Sequence, residues 1–134
     1  MGGDGAERRK FLRVQKGLPV RYRFVSLDPG FHVGPERYSG RTHNLSQGGL
    51  LLLGRIPDQH WEEHLLSHRL VVGVSMELTK AEIPVRSICR VAWMEPFDGD
   101  GKLTALGLAF AEITEEDKAR VLRYILDYQW VDDA

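Results

Sequence analysis

Hydrophobic and polar positions alternate through the middle of the chain. Leu18, Val20, Tyr22 and Phe24 recur at every second residue with Arg21 and Arg23 between them, the pattern of a strand buried on one face. Asp28-Pro29-Gly30 and Gly34-Pro35 break the chain, and the polar stretch Arg37 to His43 reads as the return strand. Asn44-Leu45-Ser46-Gln47-Gly48-Gly49 punctuates it before Leu50 to Leu53, an apolar run expected to be a strand buried on both sides. Three further strands are predicted over Leu70 to Leu78, Glu82 to Met94 and Leu103 to Ile113. Short turns at Thr79-Lys80 and Asp98-Gly99-Asp100-Gly101 separate them.

Two segments depart from alternation. Pro57 to Ser67 suits a short helix with Trp61 and Leu65 on one face. After residue 113 the spacing predicts a terminal helix, with Thr114 as N-cap, Glu115, Glu116 and Asp117 at the positive end of the dipole, and Val121, Leu122, Ile125 and Leu126 as the apolar stripe. The expected fold is mainly β: six antiparallel strands, a C-terminal helix, and an N-terminal arm rich in Gly and Arg.

The 134 residues and a hydrophobic fraction of 43% suit one globular domain. Net charge is −1, but it is unevenly placed. Residues 1–55 hold ten basic and four acidic side chains, a net of +6, and residues 56–134 hold eight basic and fifteen acidic, a net of −7. Arg outnumbers Lys by 13 to 5, which favours bidentate contact with phosphate, carboxylate or guanine. Cys89 is the only cysteine, so no internal disulfide forms. The opening MGGDGAERRK lacks the apolar core of a secretory signal, and no apolar run approaches the roughly 20 residues that cross a bilayer. The expectation is a cytoplasmic protein without membrane insertion.

Catalytic and metal signatures are weak. His60-Trp61-Glu62-Glu63-His64 matches the inverted zinc-protease pattern, with His68 a further turn along, and a continuous helix would set the three imidazoles on one face. A protease also needs a distant ligand and a substrate cleft, for which this chain has little material, so a solvated helix face is the preferred reading and no metal is assigned. Asp98-Gly99-Asp100 is not a calcium loop, because Ala109 stands where the bidentate glutamate belongs. Cys89 reads as small core, and the acidic cluster at 115–117 as a helix start. Trp93 and Phe110 read as packing aromatics, with Trp93, near a strand end, also placed to border a ligand. No catalytic residue is assigned, and the chain is expected not to be an enzyme.

Two polar motifs remain: Arg9-Lys10-Phe11-Leu12-Arg13 ahead of the first strand and Asn44-Leu45-Ser46-Gln47-Gly48-Gly49 between the second and third. Taken singly, the first fits a solvated arm, and the second a turn in which Asn and Ser bond local backbone and Gly supplies a positive φ. Together, in this order on a six-stranded barrel, they resemble the R-x-x-x-R and [D/N]-x-S-x-x-G motifs of the PilZ domain family, bacterial receptors for cyclic di-GMP. The resemblance extends through Leu18-Pro19-Val20, Arg90-Val91-Ala92-Trp93, Leu106-Gly107-Leu108-Ala109-Phe110 and the closing helix, over about residues 7 to 128. The stretch from Ile56 to His68 is longer than the usual family connection. The resemblance implies residues 1–6 as a disordered N-terminus, a domain over 7–130 and a tail at 131–134.

It further implies that Arg9 and Arg13 clamp the ligand, with Arg8 in support, and that Asn44, Ser46 and Gly49 contact it on the barrel surface. The chemistry agrees: guanidinium groups fork onto phosphate or guanine O6/N7, Asn44 accepts from a guanine donor edge, Ser46 suits a phosphate oxygen, and Gly49 leaves room for close approach. The arm is expected to be mobile and to order as it closes over the nucleotide, which then reaches an unidentified downstream protein partner as a changed surface. The acidic half is the face left for that partner. Two alternatives stand beside this reading: a small barrel binding single-stranded nucleic acid, which requires exposed aromatics on a strand face, and a PilZ-like adaptor that does not bind nucleotide.

Overall fold

A computed structural model of the chain describes residues 13–100 and 102–133, with side chains as far as 128. The predicted strand over 18–24 is β2 (Pro19–Ser26), preceded by a two-residue strand β1 (Arg13–Val14). The others are β3 (Tyr38–Ser46), β4 (Gly49–Gly54), β5 (Leu70–Met76), β6 (Val85–Pro96) and β7 (Thr104–Glu112). Every pairing is antiparallel: β3 pairs with β2, β2 with β5, β5 with β6, β6 with β7, β7 with β4, and β4 returns to β3. Six strands therefore close into a barrel, and β1 lies against β3 just beyond the stretch that β2 occupies.

Alternation in β2 is realised as read: Val20, Tyr22 and Phe24 are buried, while Arg21 and Arg23 face solvent. Inward side chains from every barrel strand fill the interior, among them Leu45, Leu52, Val72, Met76, Val91 and Leu106. Tyr22 carries the one phenol among these, and its hydroxyl donates to the Arg55 carbonyl at 2.7 Å. Burial pushes its pKa up to about 12.

The segment Pro57 to Ser67 forms a 3₁₀ turn (Gln59–Trp61) followed by one turn of helix, α1 (Glu62–Leu66). Leu65 is fully buried and Trp61 packs edge-on to Phe24 at 5.2 Å between ring centres, so the shared face is the one expected. The terminal helix, α2, covers Glu115–Asp133. Thr114 caps it, its hydroxyl accepting from the Asp117 N–H at 3.1 Å. Asp117 in turn accepts from the Arg86 N–H at 3.2 Å and binds Arg120 at 3.0 Å, which ties the helix start to the start of β6. The buried stripe is narrower than the pattern suggested: Val121 and Ile125 enter the core, whereas Leu126 is exposed. The helix packs against β1, β3 and β6. Among the described residues, no helix is long and apolar enough to cross a membrane.

Candidate functional site

The second motif is not a loop. Asn44 and Ser46 belong to β3, Gly49 opens β4, and only Gln47 and Gly48 form the turn of a two-residue hairpin closed by the pair Ser46↔Gly49. Neither Gly48 nor Gly49 takes a left-handed φ. What Gly49 supplies is space, since a Cβ there would lie 1.9 Å from the Leu108 carbonyl oxygen of β7. The room that the sequence reading reserves for a ligand is thus partly taken by the neighbouring strand. The Ser46 hydroxyl donates to the Gly49 carbonyl at 3.3 Å.

β1 brings the first motif to the second. Its register sets Arg13 opposite Ser46 and Val14 opposite Leu45. The position of β1 rests on Thr42, a buried hydroxyl that accepts from the Leu18 N–H at 3.0 Å and donates to the Lys16 carbonyl. This clip spans the break between β1 and β2, while Val14 is anchored in the core. Arg8 and Arg9 lie outside the described residues, as do the remainder of the arm and its expected disorder.

Two bulges shape the face beside Arg13. On β3 the register shifts between Thr42 and Asn44, leaving His43 as the extra residue; on β6 it shifts between Val91 and Trp93, leaving Ala92 as the extra one. Strict alternation from buried Thr42 would turn Asn44 inward, and from buried Val91 would turn Trp93 inward. Each bulge instead sets its residue outward. Asn44, Leu51, Gly107 and Trp93 consequently form one cross-strand row over four strands, and Arg13, Ser46, Gly49, Ala109 and Arg90 form the next.

The two rows enclose a shallow cradle of about 210 Å³. Trp93 walls it, 43% exposed, with its indole laid over Gly107, where a Cβ would come within 2.2 Å of Nε1. No carboxylate is among the described residues that line the cradle, and Asn44 makes no side-chain hydrogen bond with any of them. The arrangement offers an indole face for stacking, an amide and a hydroxyl for hydrogen bonding, and a guanidinium at the rim: recognition chemistry for a planar, anionic ligand. Arg13, Asn44, Ser46 and Gly49 are brought together as the motifs suggested. Trp93, placed by the sequence only at a possible border, is its main wall.

The histidine cluster does not converge. His60 lies in the 3₁₀ turn with Nδ1 2.8 Å from Asp58, His64 stacks on Phe31 at 4.1 Å, and His68 has left the helix at φ 65° with Nε2 3.1 Å from the Val91 carbonyl. The single helical turn of α1 is too short to give the three imidazoles one face. Asp98 accepts from the N–H groups of Lys102 and Leu103 and so closes the β6–β7 turn. Cys89 is buried, its thiol pushed up to about 11 by desolvation, with Ser87 Oγ at 3.4 Å.

The chain is a closed antiparallel barrel with a terminal helix, and its small-residue cradle lies on the outer wall, external to the core. The PilZ domain model matches residues 7–127, and the chain belongs to that family. No curated protein matches the sequence. Among solved structures, the chain is similar to the Bacillus subtilis inhibitor of motility MotI/DgrA, with 18% identity, a TM-score of 0.64 and coverage of 92% of this chain and 52% of that one. It is similar to MrkH of K. pneumonia in complex with c-di-GMP, at 16% identity and a TM-score of 0.66, over 94% of this chain and 54% of that one. It is also similar to the PilZ domain with c-di-GMP of YcgR from Escherichia coli, at 12% identity and a TM-score of 0.56, over 93% and 94%. The chain thus spans about half the length of the first two and nearly all of the third.

Proposed function

We propose that the protein is a receptor for cyclic di-GMP, built on residues 7–130, in which Arg13, Asn44, Ser46, Gly49 and Trp93 take one guanine and its adjoining phosphate. The observation that carries this reading is the register Arg13↔Ser46, which sets the last arginine of one motif beside the serine of the other. Arg13 forks onto phosphate or onto guanine O6 and N7, the Asn44 amide oxygen accepts from the guanine donor edge, and Trp93 stacks on the purine. The cradle is smaller than the roughly 300–1,000 Å³ of typical ligand pockets. The remaining contacts fall to residues ahead of Arg13, with Arg9 and Arg8 closing from the open side. Closure changes the surface around the cradle, and a separate protein reads that change; in this reading the chain is a cytoplasmic adaptor and not a catalyst.

Calorimetric titration of cyclic di-GMP into nucleotide-free protein tests the proposal. Wild type binds, and Arg13→Ala weakens binding about ten- to a hundredfold, the effect of losing a charge-assisted contact of about 1.5–3 kcal/mol. Absence of heat with wild type overturns it. A single-stranded nucleic-acid binder needs several stacking platforms along a strand face. Of the described residues on the cradle face only Trp93 serves, with Phe97 just past the end of β6, so binding of an oligonucleotide in place of the dinucleotide is the result that would favour that reading.

A further inference from the structure

A second concentration of chemistry lies outside the cradle, on the outer face of β2, β5 and the first half of β6. The register places Arg21 beside Ser75 and Ser75 beside Arg86; in the next row it places Arg23 beside Gly73 and Gly73 beside Ile88. One further step of the β2–β3 register, beyond Tyr22↔Tyr38, brings Arg37 alongside Arg23. The four arginines surround Gly73, whose missing side chain leaves an open groove of about 790 Å³ lined by all of them. Each is exposed, and none of the four guanidinium groups has a carboxylate or hydrogen-bond partner among the described residues. Glu112, across Ile88, is the one acidic residue on the lining. Four positive charges against this one carboxylate make a local positive field that a negatively charged occupant relieves.

The shape of the cluster selects the occupant. A single phosphate needs donors that converge within hydrogen-bond reach, whereas these arginines are spread over the width of four neighbouring strands, from Arg37 just ahead of β3, through Arg21 and Arg23 on β2, to Arg86 on β6 beyond β5, about 14 Å across at ~4.8 Å per strand. A nucleic-acid strand needs aromatic platforms, and the only aromatic on the lining, Tyr22, is buried. Carboxylates two residues apart on an extended segment are about 7 Å apart, the spacing of Arg21 and Arg23 on β2. Beside Arg86, at the β6 side, the lining includes the apolar Ile88, Ile113 and Pro84.

We propose that this groove docks an acidic segment of a partner protein, carrying Asp or Glu at alternate positions and an apolar residue farther along the same face to reach Ile88 and Ile113. Three of the four arginines come from the basic half of the chain, and the contact does not require nucleotide in the cradle, although both faces share β6.

The test is fluorescence anisotropy with a labelled synthetic peptide of repeating Glu-Ser-Glu-Ser-Leu, read without cyclic di-GMP so that the result stands apart from the proposed receptor role. The wild-type chain binds it. The double variant Arg21→Glu/Arg86→Glu loses at least about tenfold in affinity, as does the milder Arg21→Gln/Arg86→Gln. Arg55→Glu/Arg69→Glu has the same net charge change away from the groove and leaves binding within about twofold. Circular dichroism checks that all variants remain folded. The proposal fails if the peptide does not bind, or if both charge-reversal doubles weaken it equally, which would make the effect one of net charge. It also fails if a labelled oligodeoxythymidylate competes the peptide off at lower concentration, or if wild type self-associates in sedimentation and Arg21→Glu/Arg86→Glu restores the monomer, which would assign the face to a second copy of this chain.

Discussion

Two glycines near the cradle do different work, and substitution separates them. A Cβ at Gly49 meets backbone, the Leu108 carbonyl at 1.9 Å, so β4 and β7 must part; Gly49→Ala should cost about 1–3 kcal/mol in denaturant unfolding. A Cβ at Gly107 meets the Trp93 indole, a side chain with solvent to move into. Gly107→Ala should therefore keep near-wild-type stability while shifting tryptophan emission and lowering nucleotide affinity, and Trp93→Ala should lower it about ten- to a hundredfold by calorimetry. Two groups in the core make stability fall in alkali. Tyr22 is raised to about 12 and Cys89 to about 11, so the folded chain holds protons that the unfolded chain releases at lower pH. Stability is full below about pH 9 and falls as pH rises through 11 to 12, by roughly 3 kcal/mol for each group. Cys89→Ala should remove the earlier part of that fall in urea melts taken between pH 8 and pH 11, at the same time costing some packing at neutral pH.

Among the elements, those with one regular period were legible. β2 shows its buried face in Val20, Tyr22 and Phe24, and the start of α2 shows its cap in Thr114. Thr114→Ala should lower unfolding free energy by about 1 kcal/mol. Irregular elements were not legible, for a physical reason: a bulge adds one residue to one strand, and nothing in that strand's own composition distinguishes it from regular alternation. Trp93 therefore read as packing, two residues from Val91 on the same nominal face, and the motif from Asn44 to Gly49 read as a loop when it is the end of one strand and the start of the next. β1 is too short to have a period, and its placement depends on Thr42, a long-range contact. Thr42→Val keeps the shape but removes both hydroxyl hydrogen bonds, the Leu18 N–H retaining only the Lys16 carbonyl at 3.0 Å, and should cost about 1–3 kcal/mol. Nucleotide affinity should fall in parallel, because Arg13 loses its register with Ser46.

At the scale of the whole molecule, Val14, the barrel strands and Val121 and Ile125 of α2 share one core cluster. Helix and strand signals should therefore disappear together in a single transition on heating. Charge asymmetry along the chain also resolves in space. Arg13 rims the cradle, whereas Arg21, Arg23 and Arg37 from the same basic half stand with Arg86 in the groove. Closure of the barrel through β3–β4 has a consequence for association. An open sheet offers its outermost strand to any extended peptide and so courts both strand addition and aggregation. Here every long strand is flanked on both sides over part of its length, and among the described residues the unflanked margins are confined to β1 and to strand ends such as Arg23 to Ser26 of β2 and Val85 to Ser87 of β6. Another protein that meets the closed stretch of the barrel therefore reads side chains and finds no edge to extend, so specificity there rests with the residues that point outward.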